Sequence, residues 1–201
     1  MSYLNINRYL DQTFAEGPGL RSCFWLQGCH RHCPGCCNEQ MQSFDRKIII
    51  TSDDAVSLLQ QARTNYGIEG VTVLGGEPLL QTKGLLPLLE WSRTVGLSVI
   101  LFTGYLWEEC QADIVPGAKK MLSYIDVLID GAYHQEKPDM KRNWVGSTNQ
   151  RFIYLTSFYD KSIETDPRYR HLAEFHFCEN SFSLNGCPRT LSPVNSKSER
   201  S

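Results

Sequence analysis

The 201-residue chain has no apolar run near the roughly 20 residues that a membrane-spanning helix requires. It also lacks a secretory signal, because Met1-Ser2-Tyr3-Leu4-Asn5-Ile6 offers no charged segment followed by an apolar one. Charge of one sign is scarce: 20 Lys and Arg stand against 22 Asp and Glu, a formal net of −2. Such a balance gives no reason to expect nucleic acid or another polyanion as a partner. Neither an internal repeat nor a low-complexity linker interrupts the chain, and its length suits one domain with a core that needs no disulfide staples. These absences together predict a cytoplasmic globular protein.

Cysteine, by contrast, is abundant. There are eight, and five of them fall between Cys23 and Cys37. In a reducing compartment, clustered thiols point to metal or redox chemistry before disulfides. The other three, Cys110, Cys178 and Cys187, are scattered, and scattered cysteines are by default small buried hydrophobes.

Apolar patterning sets the frame around the cluster. Residues 21–27 (RSCFWLQ) read as a buried strand that runs straight into the cysteines. Further strands are expected at 70–74, 97–102, 125–130 and 151–156. Helices are expected at 51–64, where capping residues precede Ala55, Leu58, Leu59 and Ala62, and at 85–95, where Pro87 would have to occupy the first turn. Shorter helical stretches fall at 106–111 and 118–124. A polar loop covers 134–150, a hairpin is expected from 173–179 and 182–187, and the last dozen residues read as a disordered tail. Strands alternating with helices predict an α/β fold with a parallel sheet.

In such folds the carboxyl ends of the strands share the ligand-binding face. Four polar or glycine-rich segments directly follow the first four core strands. They are the cysteine loop, GGEP (75–78), TGY (103–105) and DGAY (130–133). Gly17-Pro18-Gly19, ahead of the first strand, suits a turn.

The segment GCHRHCPGCCNE (28–39) admits several readings. A structural zinc site would need a second ligand pair, and no other C-x2-C exists. A thioredoxin-type redox pair, Cys33-Pro34-Gly35-Cys36, leaves Cys29 unexplained. Plain core cysteines fit poorly beside His30, Arg31, His32 and Asn38. A four-iron cluster takes one thiolate per iron, so three cysteines would leave one iron open to a small molecule. Cys37 reads as a packed neighbour, and His30 and His32 as solvated loop residues.

Cys29-x3-Cys33-x2-Cys36 resembles the signature of the radical S-adenosylmethionine (SAM) enzymes. EGPGLRSCFWLQGC (16–29) with CPGCCNE (33–39) is similar to the glycyl-radical-enzyme activases. GGEP, FTGYLWEE, IDVLIDG and WVGSTNQR (144–151) then resemble, in order, the activating component of anaerobic ribonucleoside-triphosphate reductase. The resemblance spans roughly residues 10–156. Cys37 stands where those activases usually carry an aromatic, Val145 where they carry an arginine, and Thr148 where they carry a serine.

The resemblance implies a partial, open (β/α) barrel over residues 1–160, followed by a β-hairpin extension (161–190) and a tail (191–201). It implies that Cys29, Cys33 and Cys36 ligate a [4Fe–4S] cluster whose open iron is chelated by SAM. Gly75, Gly76, Glu77 and Pro78 would hold the methionine amino group, with glycine allowing close approach and Glu77 accepting from the amine. Thr103 and Gly104 would line the same site, and Asp130 would touch SAM or a cation. Reductive cleavage would give a 5′-deoxyadenosyl radical that takes a hydrogen atom from one glycine of a large glycyl radical enzyme. A low-potential donor such as flavodoxin or ferredoxin would supply the electron. A radical-SAM enzyme acting on a small molecule, nucleobase or peptide is the alternative. A non-catalytic iron–sulfur or zinc protein is another, which the GGEP segment disfavours.

Overall fold

A computed structural model describes residues 2–170, 173–178 and 181–186, with only the backbone at 176–178 and 181–183. Seven strands form one sheet: β1 (Tyr3–Thr13), β2 (Arg21–Leu26), β3 (Ile48–Thr51), β4 (Gly70–Gly75), β5 (Ser98–Phe102), β6 (Val127–Asp130) and β7 (Arg151–Tyr154), in the order β3-β1-β2-β4-β5-β6-β7. The four central strands β2, β4, β5 and β6 are parallel. The antiparallel β1, β3 and β7 flank them. Helices α1 (Ser52–Tyr66), α2 (Thr82–Thr94), α3 (Trp107–Gln111) and α4 (Ala118–Leu122) occupy the crossovers. A separate antiparallel pair, β8 (Ala173–Cys178) and β9 (Ser181–Gly186), follows. The tail at 191–201 and Cys187 lie outside the described residues, and so does any pairing of Cys178 with Cys187.

Side-chain alternation explains why the central strands read as unbroken apolar runs. Phe24 and Leu26 of β2, Val71 and Val73 of β4, Val99 and Leu101 of β5 and Leu128 of β6 share one core with Ala55, Leu59, Leu85, Leu88, Leu89 and Met121 of the helices. The intervening Ile100, Val127 and Ile129 face the opposite way, where Val145 and Ile163 from the later loops cover them. Cys23 and Trp25 are buried there against Met41. With both faces covered, no polar alternation survives in the sequence.

The helices start and stop for local reasons. Thr51 accepts from the Asp54 backbone N–H while the Asp54 carboxylate accepts from the Thr51 N–H, a capping box at α1. Gly67 closes α1 in a left-handed conformation. Helix α2 begins three residues earlier than the sequence pattern suggests, so Pro87 lies in its interior and not in its first turn. Gly84 O, on the turn that Pro87 disturbs, accepts from Ser52 Oγ at 2.8 Å. A Cβ at Gly84 would sit 2.3 Å from Tyr3 O, so the glycine lets α2 press against β1.

Below the carboxyl-end face, the fully buried Arg21 fills the other end of the sheet. Its guanidinium donates to Thr72 Oγ1 (2.8 Å), Pro18 O (2.7 Å), Val71 O (3.1 Å), Tyr159 OH (3.0 Å) and Ser98 O (3.3 Å). The Gly17-Pro18-Gly19 turn thus wraps this cation. A Cβ at Gly17 would come within 2.7 Å of Arg21 Cδ, and one at Gly70 within 2.6 Å of its Nη2. Replacing Arg21 with Met strands these acceptors in a dry interior. The expected cost is about 3 kcal/mol or more in a denaturant melt of the apo protein; a loss under ~1 kcal/mol would show that the acceptors find other donors.

Candidate functional site

The carboxyl end of β4 fits directly against that of β2. Gly75 (φ +108°) and Gly76 have no space for a side chain: a Cβ at Gly75 would lie 2.4 Å from Leu26 N, and one at Gly76 would lie 2.3 Å from Gly28 O. Gly76 N donates to Leu26 O (2.7 Å) and Glu77 N to Gly28 O (2.8 Å). The sequence suggested that these glycines make room for a ligand. Their first role here is to let two backbones meet where the cysteine loop begins.

That loop is closed at its neck. Gly28 N donates to Met41 O (2.8 Å) and Cys29 N to Gln42 O (3.0 Å). Gln27, just before it, is tied by Nε2 to Ser43 O (2.6 Å), and its own carbonyl accepts from Gln81 Nε2 (3.0 Å). Cys29, Cys33 and Cys36 are part-buried, while Cys37 is exposed. Burial raises the Cys29 thiol. A hydrogen bond from the Cys37 thiol is the main cause holding Cys36 down at about 6, and Cys37 is raised in turn.

Glu77 is buried to 1% exposure. Its Oε1 accepts from Thr103 Oγ1 (2.7 Å) and Leu79 N (3.0 Å), and its Oε2 from Gly104 N (2.8 Å). Burial raises its pKa and these three donors oppose the shift. The carboxylate thereby straps the loop after β5 to the loop after β4. Pro78 is buried at the start of a short 3-10 turn, Pro78–Gln81.

One cavity of about 440 Å³ takes in Cys29, Cys33, Cys36 and Cys37 together with Gly75, Gly76, Glu77, Thr103, Gly104, Gly131 and Ala132. The loops after all four parallel strands therefore share it, and its size suits a small-molecule site. Asp130 does not line it. Its buried carboxylate accepts from Trp107 N (2.7 Å), at the start of α3, and from Arg151. Those partners account for Asp130 as a strand-end clamp.

The sequence reading passed over several residues of the wall. Arg31 and Glu16 line the cavity, as do Arg8, Trp144 and, from the distant β9, Leu184, Asn185 and Gly186. Trp144 Nε1 donates to Ala15 O (3.0 Å), and Arg8 lies over the Trp25 ring at 5.0 Å. Arg31, Glu16 and Trp144 lie within or at the start of the recognised segments but are not their spaced positions, and Arg8 and the β9 residues lie outside them, so tertiary contact is what reveals their place in the wall.

Comparison with known proteins identifies the family. Residues 15–153 match the family described as "4Fe-4S single cluster domain". The anaerobic ribonucleoside-triphosphate reductase-activating protein of Pasteurella multocida is 31% identical over 161 residues, 77% of this chain and 100% of that protein. Its counterpart in Enterobacteria phage T4 is 32% identical over 152 residues, 74% of this chain and 92% of that one. The Escherichia coli K12 counterpart is 28% identical over 162 residues, 76% and 99% of the two chains. The chain belongs to this family of activating proteins. A crystal structure of QueE from Escherichia coli aligns with a TM-score of 0.43 at 22% identity, over 51% of this chain and 53% of that one, too slight a likeness to bear on the site.

Membership makes the chain a radical-SAM enzyme whose cofactors are a [4Fe–4S] cluster and SAM. The residues present suit both. Three thiols from one loop are the donor type that iron–sulfur clusters take, and the cavity beside them offers polar backbone and a buried carboxylate. Among the described residues, no three His, Cys, Asp or Glu side chains are grouped to hold a single metal ion. No helix there is long and apolar enough to cross a membrane.

Glu16 supplies a test of how dry the cavity wall is. Burial pushes its carboxyl up from 4.5 to about 7, with Glu174 adding to the shift and Arg8 opposing it. The folded chain then holds a proton that the unfolded chain has released between those two values, so stability falls as pH rises through that window. Glu16→Gln should remove this part of the slope, on the order of 1–2 kcal/mol. Anaerobic urea melts of the apo protein at pH 5 and pH 8 measure it, and equal slopes in wild type and variant would place Glu16 in water.

Proposed function

We propose that this chain installs a glycyl radical on an anaerobic ribonucleoside-triphosphate reductase. The observation that supports this best is the meeting of Cys29, Cys33 and Cys36 with Gly75–Glu77 and Thr103–Gly104 around one cavity. The relatives that align over nearly their whole length are named as activating proteins of that reductase, which supports the choice of partner. In this reading the three cysteines hold three irons of the cluster, and residues 1–160 form a partial (β/α) barrel with 161–190 as its extension.

When bound, the cluster and SAM supply reductive cleavage of a sulfonium bond and hence a carbon radical able to take a hydrogen atom. The protein's part is placement. The neck at Gly28/Met41 and Cys29/Gln42 fixes where the thiolates start and finish. Glu77, held by three donors, presents negative charge at the wall where the SAM ammonium would lie, and burial amplifies that attraction. Cover from the 134–150 loop and β9 keeps water from the reacting atoms. The hydrogen donor would be a protein glycine, and the electron would come from a low-potential carrier such as flavodoxin or ferredoxin.

Five single variants separate these roles. Cys29→Ser, Cys33→Ser and Cys36→Ser should each lower iron and sulfide content after anaerobic reconstitution, whereas Cys37→Ala should keep the iron. Glu77→Ala should keep the cluster yet weaken SAM binding, read as loss of the SAM-induced change in the EPR signal of the reduced cluster. Mixed with an anaerobic reductase, SAM and reductant, the wild type should produce a glycyl-radical doublet by EPR. Cleavage of SAM with no such doublet on any reductase tried, but with hydrogen abstracted from a small molecule or peptide, would favour the other radical-SAM reading.

A further inference from the structure

We propose that Arg31, inside the cysteine loop, binds the carboxylate of SAM through its Nε edge. This rests on the cavity being the SAM site. Arg31 lies between the first two cysteines of the motif, and its side chain reaches across to the loop after β5. There its Cζ stands 4.2 Å from the centroid of the Tyr105 ring. The Nη2 atom is 3.7 Å from Glu109 Oε2, close enough for attraction and too far for a hydrogen bond. Nε is buried, and it has no hydrogen-bond partner among the described residues.

A buried, unmatched N–H of a cation is costly. Stacking satisfies the face of a guanidinium but not its edge, because the N–H bonds lie in the plane of the ring system. The wall around Nε has a definite charge pattern. A Cβ at Gly104 would be 3.5 Å from Arg31 Nε and 3.3 Å from Glu77 Oε2, so the cation and the buried carboxylate flank the same glycine. Arg31, Glu77 and Gly104 all line the cavity with Cys29 and Cys33.

A ligand that complements this wall carries an ammonium and a carboxylate on one carbon. SAM has such an amino-acid end, and the carboxylate is its only anionic group. Glu77 faces the ammonium and Arg31 the carboxylate. The planar fork of the guanidinium matches carboxylate geometry. Glu109 and the Tyr105 ring fix the orientation of Arg31 without consuming Nε.

The test uses protein carrying its reconstituted cluster and compares three ligands by isothermal titration: SAM, S-adenosylhomocysteine, which keeps the carboxylate, and decarboxylated SAM. Arg31→Gln should weaken the first two by roughly 10–100-fold and leave the third unchanged. Arg31→Lys keeps charge without the fork and should give a smaller loss with the same selectivity; it decides the matter if the Gln variant assembles less cluster. Unchanged SAM affinity in either variant, or an equal loss for all three ligands, would overturn the assignment and leave Arg31 a structural stack on Tyr105. Wild type that binds none of the ligands, or a Glu77→Ala variant that binds SAM normally, would instead remove the cavity from the SAM reading.

Discussion

Two backbones in contact, at the carboxyl ends of β2 and β4, set the geometry of the site. The N–H groups of Gly76 and Glu77 reach Leu26 O and Gly28 O, and neither glycine position has room for a Cβ. The consequence is geometric. The last residue of β4 and the first of the cysteine loop cannot move apart without breaking two buried hydrogen bonds, so the thiols and the Glu77 carboxylate share one frame. Glu77 then turns inward and gathers Leu79, Thr103 and Gly104 around its oxygens. One carboxylate thus ties the ends of β4 and β5 together, while the Glu77 N–H bond to Gly28 O joins them to the end of β2.

Rigidity ends where the cluster would begin. Both ends of the loop are pinned at its neck, but Pro34 and Gly35 at its tip are exposed. Between Cys29 and Cys36 the loop holds a backbone bond from Cys36 N to Cys33 O, at 3.2 Å. A short loop fixed at both ends has little entropy left to lose. Its tip can still settle around a metal centre, while the thiols stay beside the cavity. The cation Arg31 leaves the same loop and is braced on a different element, by the Tyr105 ring and Glu109. Loop placement is therefore checked twice, once through backbone at Gly28 and once through a side chain at Tyr105.

Much of this was legible in residues, and the exceptions have physical causes. The parallel strands stand out because both of their faces are buried. Strands β1 and β3 do not. Polar Asn5, Asn7 and Arg8 interrupt β1, and the exposed Ile48 and Ile49 of edge strand β3 carry no alternation. Helix α2 starts earlier than its apolar pattern because a 3-10 turn led by Pro78 feeds into it. The cysteine spacing and the GGEP segment announce chemistry because ligation and close backbone approach restrict residue type. Asp130 sits where a ligand residue would, at a strand's end, but the helix and arginine that occupy it are 23 and 21 residues away in sequence. Arg21 and Arg31 look alike in sequence; one plugs a dry interior with neutral partners and the other keeps an edge unspent. Only their surroundings tell them apart.

The antiparallel pair β8–β9 shows how a segment outside the family's span can join the site. It lies beyond residues 15–153, the span matched by the family. Even so, Leu184, Asn185 and Gly186 form part of the cavity wall. Its anchors are on β1 and the turn after it: Glu174 accepts from Thr13 Oγ1 and from Phe14 N (2.7 Å), Asn185 Nδ2 donates to Thr13 Oγ1 (2.8 Å), and Leu184 O accepts from Arg8 at 3.5 Å. Among the described residues these anchors are polar. The docked hairpin and the filled cavity share a wall. Whatever fills the cavity and touches that wall therefore also favours the docked hairpin, and by linkage the docked hairpin favours the ligand to the same degree.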